Sequence, residues 1–323
     1  MYTANELLGM VNHYIDTLPY NRKPESLYAP IRYVLSLGGK RIRPILMLLS
    51  YNLFKDNPEQ ILSSACALET YHNYTLLHDD LMDKAPLRRG KPTVHCQWNE
   101  NMAILSGDSM LVLAYERMAQ CEQQLLPEVL ELFTQTALEI GEGQQYDMEF
   151  ETRNDVTEQE YIEMIRLKTS VLLACAMKMG AILAHAPKED ADLLYKAGEQ
   201  IGLAFQLQDD YLDVYGDSKV FGKKIGGDIV SNKKTYMLIN ALHLADEEQR
   251  LQLNKWLSKT NDDNRKIRAI TRLYNKLEID RLAKAKIDYY FDLSKDYLNA
   301  VYLPEKQKMQ LRNYLDRMLK RKR

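Results

Sequence analysis

The sequence predicts an all-α protein built from long helices. Only 14 glycines and 10 prolines occur in 323 residues, and between them apolar residues recur at intervals of three and four rather than alternating. The breakers divide the chain into helices of about 20 to 30 residues, or about 30 to 45 Å at the 1.5 Å rise of an α-helix. A bundle of such helices can bind a ligand in its interior.

Helix breakers punctuate the chain without marking a domain boundary. No internal repeat and no flexible linker separates the segments, so residues 1–323 are predicted to form a single all-α domain. The breaker clusters are Gly38-Gly39, residues 86–92, Pro127, Pro187, residues 216–227 and Pro304.

Composition and charge argue against several classes of protein. With 46% hydrophobic residues the chain can bury a large core, and a formal net charge of −2 gives no general attraction to nucleic acid or anionic membranes. No apolar run approaches the ~18 residues of a membrane span, and no signal peptide is recognisable, so a cytoplasmic protein is predicted. The four cysteines lie far apart, which is typical of reduced thiols and not of a zinc site: Cys66, Cys96, Cys121 and Cys175.

The first chemical signal is a cluster of aspartates in "LLHDDLMD", residues 76–83. The apolar pattern predicts one helix over residues 59–83. Asp79, Asp80 and Asp83 are spaced three and four apart at its end, so the three carboxylates can face a common point. Carboxylates this close repel one another unless a cation lies between them, and a helix C-terminus is already negative. Taken alone, the cluster is equally compatible with a solvated acidic helix end.

A second cluster repeats this spacing. In "GLAFQLQDDYLDVYGD", residues 202–217, Asp209, Asp210 and Asp213 end another apolar helix. Two carboxylate triads that converge in a bundle suit Mg²⁺, which takes one or two carboxylates per ion and completes its shell with water and phosphate oxygens. The predicted ligand is therefore a phosphate or diphosphate. A di-iron bundle is the nearest competitor, but neither triad contains the Glu and Glu-x-x-His pattern that it requires.

Basic residues stand beside both acidic clusters, as a diphosphate ligand requires. A glycine-hinged turn, "GGKRIRP", opens a helix, where backbone N–H groups and the helix dipole also favour an anion. Lys168 lies among apolar residues, so its ammonium group must either pair with an anion or reach the solvent. For Lys91 and Lys234 a solvated position is the simpler interpretation. The candidate cations are Lys40, Arg41, Arg43, Arg88, Arg89, Lys91, Lys168, Lys223, Lys224, Lys233 and Lys234.

Together these motifs resemble those of the trans-isoprenyl diphosphate synthases, also called polyprenyl synthetases, which make farnesyl, geranylgeranyl and longer diphosphates. The similarity extends from about residue 25 to about residue 240. The family's order and spacing are matched by "GGKRIRP", "ETYHNYTLLHDDLMD", "RRGKPTVH", "LKTS" and "QLQDDYLD". The resemblance implies an all-α isoprenoid-synthase-type bundle around a deep central cavity, bound Mg²⁺ and a homodimer.

The resemblance also implies roles for individual residues. Mg²⁺ bridged to the allylic diphosphate would be bound by Asp79, Asp80, Asp83, Asp209, Asp210 and Asp213. The allylic substrate would contact Arg88, Lys168, Lys233, Thr169, Gln206, Gln144 and Asp147. Isopentenyl diphosphate would contact Lys40, Arg43, His72 and Arg89. Lys223 would also bind diphosphate, with Lys224 as its alternative, because this loop is one residue longer than the family form.

The implied reaction joins isopentenyl diphosphate head-to-tail to dimethylallyl, geranyl or farnesyl diphosphate. Cations stabilise the departing diphosphate, the allylic C–O bond ionises, and the alkene of isopentenyl diphosphate attacks. Proton loss then leaves a trans-prenyl diphosphate five carbons longer. The catalytic groups would be Asp79, Asp80, Asp83, Lys168, Asp209 and Asp210.

Product length is predicted from the helix before the first motif. Tyr74 and Tyr71 lie five and eight residues before Asp79, about one and two helical turns from the catalytic end. Large residues at these positions resemble the floor of family members that make C15 or C20 products. Farnesyl and geranylgeranyl diphosphate therefore both stay open as products.

Two alternatives from other classes stay open. A class I terpene cyclase is similar in fold, metal and first motif, but its second metal motif resembles N-D-x-x-S-x-x-x-E rather than "DDYLD". A non-catalytic regulatory subunit commonly lacks one aspartate motif, whereas this chain has both. The basic end, residues 320–323, is predicted to be a solvated tail, with closure over the site as its alternative.

Overall fold

The fold is almost entirely helical, which confirms the predicted all-α class. The computed structural model describes residues 2–216, 225–259 and 263–319. In these ranges the only β-structure is an antiparallel pair of two-residue strands, β1 (Leu87–Arg88) and β2 (Lys91–Pro92). Among the helices of these ranges, none is both long and apolar enough to cross a membrane.

Long helices dominate the described part of the chain, as predicted, with shorter ones towards its C-terminal part. The α-helices are α1 (Ala4–Asp16), α2 (Glu25–Ser36), α3 (Ile42–Tyr51), α4 (Leu62–Met82), α5 (Val94–Gln97), α6 (Glu100–Met118), α7 (Leu126–Thr152), α8 (Glu158–Ile165), α9 (Val171–Leu183), α10 (Lys188–Tyr215), α11 (Gly227–Val230), α12 (Tyr236–Leu244), α13 (Glu247–Leu257), α14 (Asp263–Lys276), α15 (Ile279–Ala300) and α16 (Glu305–Leu319). Capping boxes begin α1, α8 and α13, formed by Thr3 with Glu6, Thr157 with Glu160, and Asp246 with Gln249.

Contacts within the chain define two compact units. Unit 1 comprises Met1–Phe133, Ala176–Asp192 and Leu303–Leu311, and unit 2 comprises Thr134–Cys175, Leu193–Tyr302 and Arg312–Arg323. The first aspartate motif belongs to unit 1 and the second to unit 2. The single domain and its central cavity stay predictions.

Unit 1 is organised around α4, whose residues 64–71 are all buried. This helix packs along α6 and against α3, which is itself buried from Pro44 to Tyr51. Helices buried on most of their surface need small residues where backbones approach closely. Gly180 on α9 is such a residue, because a Cβ there would lie 2.1 Å from the carbonyl oxygen of Met47. The packing holds α4 firmly up to the aspartates at its end.

The helix predicted over residues 59–83 begins later than expected. Pro58–Ile61 form a 3₁₀ turn, α4 begins at Leu62, and Asp83 is the C-cap residue. Proline at the first position suits this tight turn, because its φ is fixed and it has no N–H to donate. The end of α4 still places the three aspartates within about one turn of each other.

Unit 2 has its own apolar core, to which Tyr161, Leu207 and Ile270 contribute. Between α8 and α9 the chain forms a π-helix, Arg166–Ser170. Such insertions into a helix are frequent at functional sites. Here the insertion carries Lys168, one of the predicted site residues.

Two glycines allow neighbouring helices to approach this π-helix. A Cβ on Gly143 of α7 would lie 2.3 Å from the backbone nitrogen of Lys168, and one on Gly202 of α10 would lie 2.6 Å from Ser170 Cα. Real Cβ atoms do not occur at these distances, because the atoms would overlap. The π-helix is therefore enclosed on two sides by positions that require glycine.

Candidate active site

The first aspartate motif lies at the C-terminal end of α4, beside Arg88. Arg88 Nε donates a hydrogen bond to Asp80 Oδ2 at 2.6 Å, and Nη2 lies 3.9 Å from Asp79 Oδ2. Asp80 is only 5% exposed, and burial raises its pKa although Arg88 opposes the shift. Asp79 is partly exposed and Asp83 is exposed. The second aspartate is thus paired inside the protein, while the first and third are more accessible.

A hairpin carries Arg88 and Arg89 to this position. Arg88 pairs with Lys91 across β1 and β2, and the turn residues Arg89 and Gly90 have φ values of 52° and 74°. Positive φ at both central residues is typical of a type I′ turn. The Arg89 guanidinium donates a hydrogen bond to the carbonyl oxygen of Gly38.

The glycine turn before α3 accommodates that guanidinium. Gly39 has a φ of 139°, and a Cβ on it would lie 2.8 Å from a terminal nitrogen of Arg89. Lys40 follows in an exposed position. The basic motifs "GGKRIRP" and "RRGKP", more than 40 residues apart in sequence, are therefore in direct contact.

His72 lies on α4 in a strongly positive environment. Burial lowers its pKa well below the ordinary value. The positive charges that lower it further are those of Arg43, Arg89, Arg88 and Arg41. Burial also lowers the pKa of Arg43 to about 10, and its Nε is buried without a hydrogen-bond partner among the described residues. An anion would stabilise this cluster, because it would supply the missing negative charge.

Arg41 has a buried guanidinium that is paired within the protein. It forms an ion pair with Glu69, Nη1 to Oε1 at 2.8 Å, in which both side chains are 3% exposed. Asn73 Nδ2 donates a further hydrogen bond to the same carboxylate oxygen at 3.1 Å. Arg41 therefore holds the turn that carries Lys40 and Arg43.

Aromatic side chains precede the first motif along α4. The ring of Tyr74 lies 4.8 Å from that of His78 and 5.4 Å from that of Tyr71, measured between centroids. Tyr71 in turn contacts Phe133 at 5.3 Å. Tyr71 is 2% exposed, whereas Tyr74 is partly exposed. The two predicted floor residues are in contact, and Tyr74 is the one whose surface is not fully covered.

In unit 2, Asp210 is the buried member of the second motif, with 5% exposure. Gln206 Nε2 donates a hydrogen bond to Asp210 Oδ1 at 3.1 Å, and the Tyr161 hydroxyl donates one to Oδ2. Thr169 Oγ1 donates to Gln206 Oε1 at 3.2 Å. Burial and the Asp228 carboxylate raise the pKa of Asp210 to about 8. Both oxygens of Asp210 are thus bound by the protein.

Asp147 on α7 joins two lysines of the same unit. Its Oδ2 lies 2.6 Å from Lys168 Nζ and 3.8 Å from Lys233 Nζ. Burial alone would raise the pKa of Asp147, but the charges and hydrogen bonds of Lys233 and Lys168 outweigh it, and the pKa is lowered. The anion that the sequence requires near Lys168 is therefore Asp147. Gln144 lies one turn earlier on the same helix.

Asp213 is tied to the segment that follows the second motif. Its Oδ2 accepts a hydrogen bond from the Asp228 N–H at 3.0 Å, and its carbonyl accepts one from the Gly226 N–H at 2.7 Å. Asp209 and Asp213 are both partly exposed. The second motif therefore repeats the arrangement of the first, with a buried central aspartate between two more accessible ones.

Two residues of this site are not predicted by the sequence motifs. Tyr161 binds Asp210, and Asp228 lies close enough to shift the pKa of that carboxyl. No sequence pattern marks Tyr161, which lies 49 positions from its partner. Asp228 directly follows the paired glycines Gly226-Gly227, a signal that could have been used.

The carboxylates fit Mg²⁺ without forming a complete metal site. Within the described ranges, no three His, Cys, Asp or Glu side chains come together to hold a metal ion. Mg²⁺ requires only one or two carboxylates per ion, since water and phosphate oxygens complete its shell. Burial is the main cause of the raised pKa of both Asp80 and Asp210, because it disfavours the ionised carboxylate, and a cation bound beside either group would favour the ionised form.

The remaining predicted residues are two lysines whose positions indicate no role and several residues that lie outside the described ranges. Lys91 is exposed and Lys234 is partly buried. Lys223, Lys224 and residues 320–323 lie outside the described residues, so the choice between the two lysines and the behaviour of the basic end stay predictions.

Comparison with known proteins points to one family. A family model described as polyprenyl synthetase matches residues 24–274. The short chain isoprenyl diphosphate synthase of Methanocaldococcus jannaschii is 42% identical over 250 residues, which cover 77% of this chain and 76% of that protein. The geranylfarnesyl diphosphate synthase of Natronomonas pharaonis is 41% identical over 240 residues, which cover 68% and 70%.

Solved structures agree with this match. A crystal structure of a geranylgeranyl pyrophosphate synthase is similar with a TM-score of 0.95 and 37% identity, covering 100% of both chains. A polyprenyl synthase from Caulobacter crescentus, complexed with calcium and isoprenyl diphosphate, is similar with a TM-score of 0.87 and 26% identity, covering 99% of this chain and 96% of that one.

Proposed function

Because the chain belongs to the polyprenyl synthetase family, we infer that it is a trans-prenyltransferase that condenses isopentenyl diphosphate with an allylic diphosphate. The observation that carries this function is the repetition of one arrangement in both units. Each unit has an aspartate motif with a buried central member and basic side chains close by. Carboxylates for metal ions and cations for phosphate are the two requirements of a diphosphate leaving group.

The family uses divalent metal ions, and for this chain the proposed ion is Mg²⁺. The residues that would hold it are the aspartates of both motifs: Asp79, Asp80, Asp83, Asp209, Asp210 and Asp213. Asp80 and Asp210 also accept hydrogen bonds from protein donors, which orients the motifs. When bound, the ions neutralise the charge that develops on the departing diphosphate.

Isopentenyl diphosphate would bind the basic cluster of unit 1, formed by Lys40, Arg43, His72 and Arg89. The unpartnered Nε of Arg43 supports this assignment, because a buried donor without an acceptor is unfavourable until an anion fills the position. The lowered pKa of His72 supports it too, because burial and then the positive charges of the neighbouring arginines cause it, and a bound anion would offset these charges. Arg41 is not part of this proposal because Glu69 already neutralises it.

The allylic diphosphate would contact Arg88, Lys168 and Lys233, with Thr169 and Gln206 beside it. Asp147 brings the two ammonium groups together, with its Oδ2 2.6 Å from Lys168 Nζ and 3.8 Å from Lys233 Nζ, and two positive charges beside one carboxylate leave a net positive charge that favours a diphosphate. Asp147 would thereby fix both ammonium groups before substrate arrives. Lys223 stays a predicted contact of the same substrate.

These residues explain the reaction in terms of charge. Guanidinium and ammonium groups that are already in place stabilise the diphosphate as the allylic C–O bond ionises, and one well-placed donor of this kind contributes ~3 kcal/mol. The alkene of isopentenyl diphosphate attacks the resulting cation, and loss of a proton restores the double bond. The product is an allylic diphosphate five carbons longer.

For the product, we propose the C20 compound geranylgeranyl diphosphate. The similarity to a geranylgeranyl pyrophosphate synthase over the full length of both chains supports this choice. The partly exposed ring of Tyr74 and its contacts with Tyr71 and His78 make it a suitable floor for a growing prenyl chain of either length. Farnesyl diphosphate, which the sequence leaves equally open, would require the chain to stop one unit earlier.

Product analysis tests the activity and the chain length together. The purified protein is incubated with labelled isopentenyl diphosphate, Mg²⁺ and, separately, dimethylallyl, geranyl or farnesyl diphosphate. The dephosphorylated products are then separated by chromatography, with an Asp79→Ala variant as the control. A C20 end point is expected. A C15 or C25 end point would overturn the proposed length alone, and no condensation with any primer would overturn the activity.

The two alternative functions are not favoured. The relatives are prenyl diphosphate synthases by name, and both aspartate motifs are intact in a chain similar to them over most of its length. A terpene cyclase would release a cyclic hydrocarbon from the allylic diphosphate alone. A regulatory subunit would give no product in the same assay.

Assembly as a homodimer is part of the proposal. On α6, Leu105 and Val112 are 51% and 66% exposed, and their spacing of seven places them on one side of the helix. This side of α6 is therefore the surface that we propose for the contact between the two copies of the chain. Sedimentation equilibrium should give twice the 37.6 kDa chain mass. The cytoplasmic location stays a prediction.

A further inference from the structure

A buried lysine of unit 2 has no role in the reaction described so far. Lys266 on α14 is 3% exposed. Its Nζ donates a hydrogen bond to the carbonyl oxygen of Val230 at 3.0 Å and lies 3.5 Å from that of Lys259. Burial lowers the pKa of Lys266, with Asp263 opposing the shift. A buried ammonium is unfavourable unless its hydrogen bonds are satisfied, so this lysine needs a structural reason.

The positions of the two carbonyl groups in the fold explain why a lysine is buried here. Val230 is the last residue of α11, and Lys259 follows the C-terminal end of α13. Carbonyl groups at a helix C-terminus lack partners within the helix, and a positive charge there is favourable. The ammonium of Lys266 therefore links the ends of two helices, although they are separated in sequence.

One of these helices belongs to residues 225–235, here called the 225–235 segment. Two of its members approach the proposed allylic site: the backbone nitrogen of Asp228 lies 3.0 Å from Asp213 Oδ2, and Lys233 Nζ lies 3.8 Å from Asp147 Oδ2. At its beginning, Asp213 accepts hydrogen bonds from the segment, which fixes that end to the second motif. The position of the remaining residues of the 225–235 segment depends on contacts with α13 and α14.

Two further contacts reinforce the same attachment. Asn232 Nδ2 donates a hydrogen bond to the carbonyl oxygen of Leu257 at 2.9 Å, in the last turn of α13. A Cβ on Gly226 would lie 2.7 Å from side-chain atoms of Ile267, the residue after Lys266, so α14 packs directly on the backbone of the segment. The segment is therefore held between the second motif and the α13–α14 pair.

We propose that Lys266 is a positioning residue for the allylic site, which fixes the 225–235 segment so that Asp228 and Lys233 are in place before substrate binds. The inference depends on the proposed function, because it assigns Lys233 to the allylic diphosphate. Lys266 itself touches no substrate. Its loss should therefore affect the allylic substrate and not isopentenyl diphosphate, which the proposed function assigns to unit 1.

The test is Lys266→Met, which removes the ammonium and keeps an apolar side chain. Loss of the donor to two carbonyl oxygens costs less than the whole stability of a typical domain, so the variant should fold. Arg268→Met is the matched control, since Arg268 is an exposed cation on the same helix. We expect the KM for the allylic diphosphate to rise about tenfold in Lys266→Met, with the KM for isopentenyl diphosphate within about twofold of wild type.

A second readout needs no substrate or metal. Hydrogen exchange should show the backbone amides of the 225–235 segment exchanging about tenfold faster in Lys266→Met and unchanged in Arg268→Met. A folded Lys266→Met protein with wild-type exchange and wild-type KM values would overturn the inference, and so would equal increases in both KM values. An inactive wild-type protein would overturn the proposed function instead. The exchange data would still show whether Lys266 fixes the 225–235 segment.

A second variant covers the case in which Lys266→Met does not fold. Asn232→Gly removes the hydrogen bond to Leu257, and glycine tolerates the positive φ of 57° at this position. The same increase in the KM for the allylic substrate alone, with faster exchange of the segment, would support the inference. Wild-type values of both would overturn it.

Discussion

At the scale of single residues, burial divides the aspartates of each motif into two kinds. Asp80 and Asp210 are each 5% exposed and bind protein donors. The aspartates that flank them are more exposed. Since the spacing is the same in both motifs, this difference comes from what packs against each position. Aspartates with the same spacing in sequence therefore differ in burial and in hydrogen bonding once the chain is folded.

The lowered pKa of His72 predicts an effect of pH on stability. In the unfolded chain His72 titrates near its ordinary pKa of about 6.5, whereas the folded protein keeps it neutral to a lower pH. As the pH falls below about 6.5, the unfolded state gains a proton that the folded state does not, and stability decreases by up to about 1.4 kcal/mol per pH unit.

Urea unfolding of the wild type and His72→Gln between about pH 8 and about pH 5 measures this effect. The free energy of unfolding of the variant should depend less on pH than that of the wild type. The lowered pKa would be contradicted by two parallel curves across this range.

Tyr74 gives a prediction about product length. In Tyr74→Ala the ring that contacts Tyr71 and His78 is removed, and the space it leaves can accept further isoprene units. We expect products at least one unit longer than those of the wild type, measured by chromatography. Tyr289→Ala is the control, because Tyr289 is 56% exposed in unit 2. An unchanged product distribution would exclude Tyr74 as the floor.

At the scale of elements, the π-helix Arg166–Ser170 shows how a site residue is positioned from outside its own helix. Lys168 is held at its backbone by the close approach of α7 and at its ammonium by Asp147 of the same helix. Two residues of α7 that are four positions apart, Gly143 and Asp147, therefore set both contacts. A change in α7 that shifts the π-helix should therefore weaken binding of the allylic diphosphate at the proposed site.

Gly143→Ala tests this connection. The new Cβ would lie 2.3 Å from Lys168 N, so the backbone must move, and overpacking of this kind costs about 1–3 kcal/mol. We expect a lower melting temperature and a KM for the allylic diphosphate raised about tenfold.

Gly141→Ala is the control on the same helix. A Cβ at Gly141 meets nothing within 4 Å, and alanine is the better helix former by about 0.5–1 kcal/mol. This variant should be as stable as the wild type or slightly more stable, with unchanged kinetics. Equal behaviour of the two variants would mean that the contact with the π-helix does not position Lys168.

At the scale of the whole molecule, packing and metal binding are separable. Unit 1 is built around the buried helices α3 and α4, and unit 2 has its own apolar core. In the ranges that the structure describes, no group of three potential ligands forms a metal site. Since the core of unit 2 and the buried faces of α3 and α4 are largely apolar, we expect the proposed metal ions to contribute little to the stability of the fold.

Removal of metal should separate activity from stability. Treatment with a chelator is expected to abolish condensation, while the melting temperature changes by less than about 2 °C, because the cores do not depend on metal. Added Mg²⁺ should restore the activity. A large fall in melting temperature on chelation would show instead that a metal ion supports the structure.

Much of the site was predictable from particular residues, and the rest was not for physical reasons. The equal spacing of Asp79, Asp80 and Asp83 and of the second motif was enough to predict a cation site beside a phosphate. Arg41 could not be distinguished from Lys40 and Arg43, because only the folded chain brings Glu69 to it. Tyr161 was missed because its partner lies 49 residues away and a lone tyrosine has no local signature.

The sequence by itself determined the all-α class, the two aspartate motifs and the family, since these depend on local periodicity and on short motifs in a fixed order. The tertiary structure decided which charges are already neutralised and which are available for a ligand. It paired Arg41 with Glu69 and Lys168 with Asp147, and it left Arg43 Nε without a partner among the described residues. The reason is that the electrostatic state of a side chain depends on its neighbours in space, and long-range packing selects these neighbours.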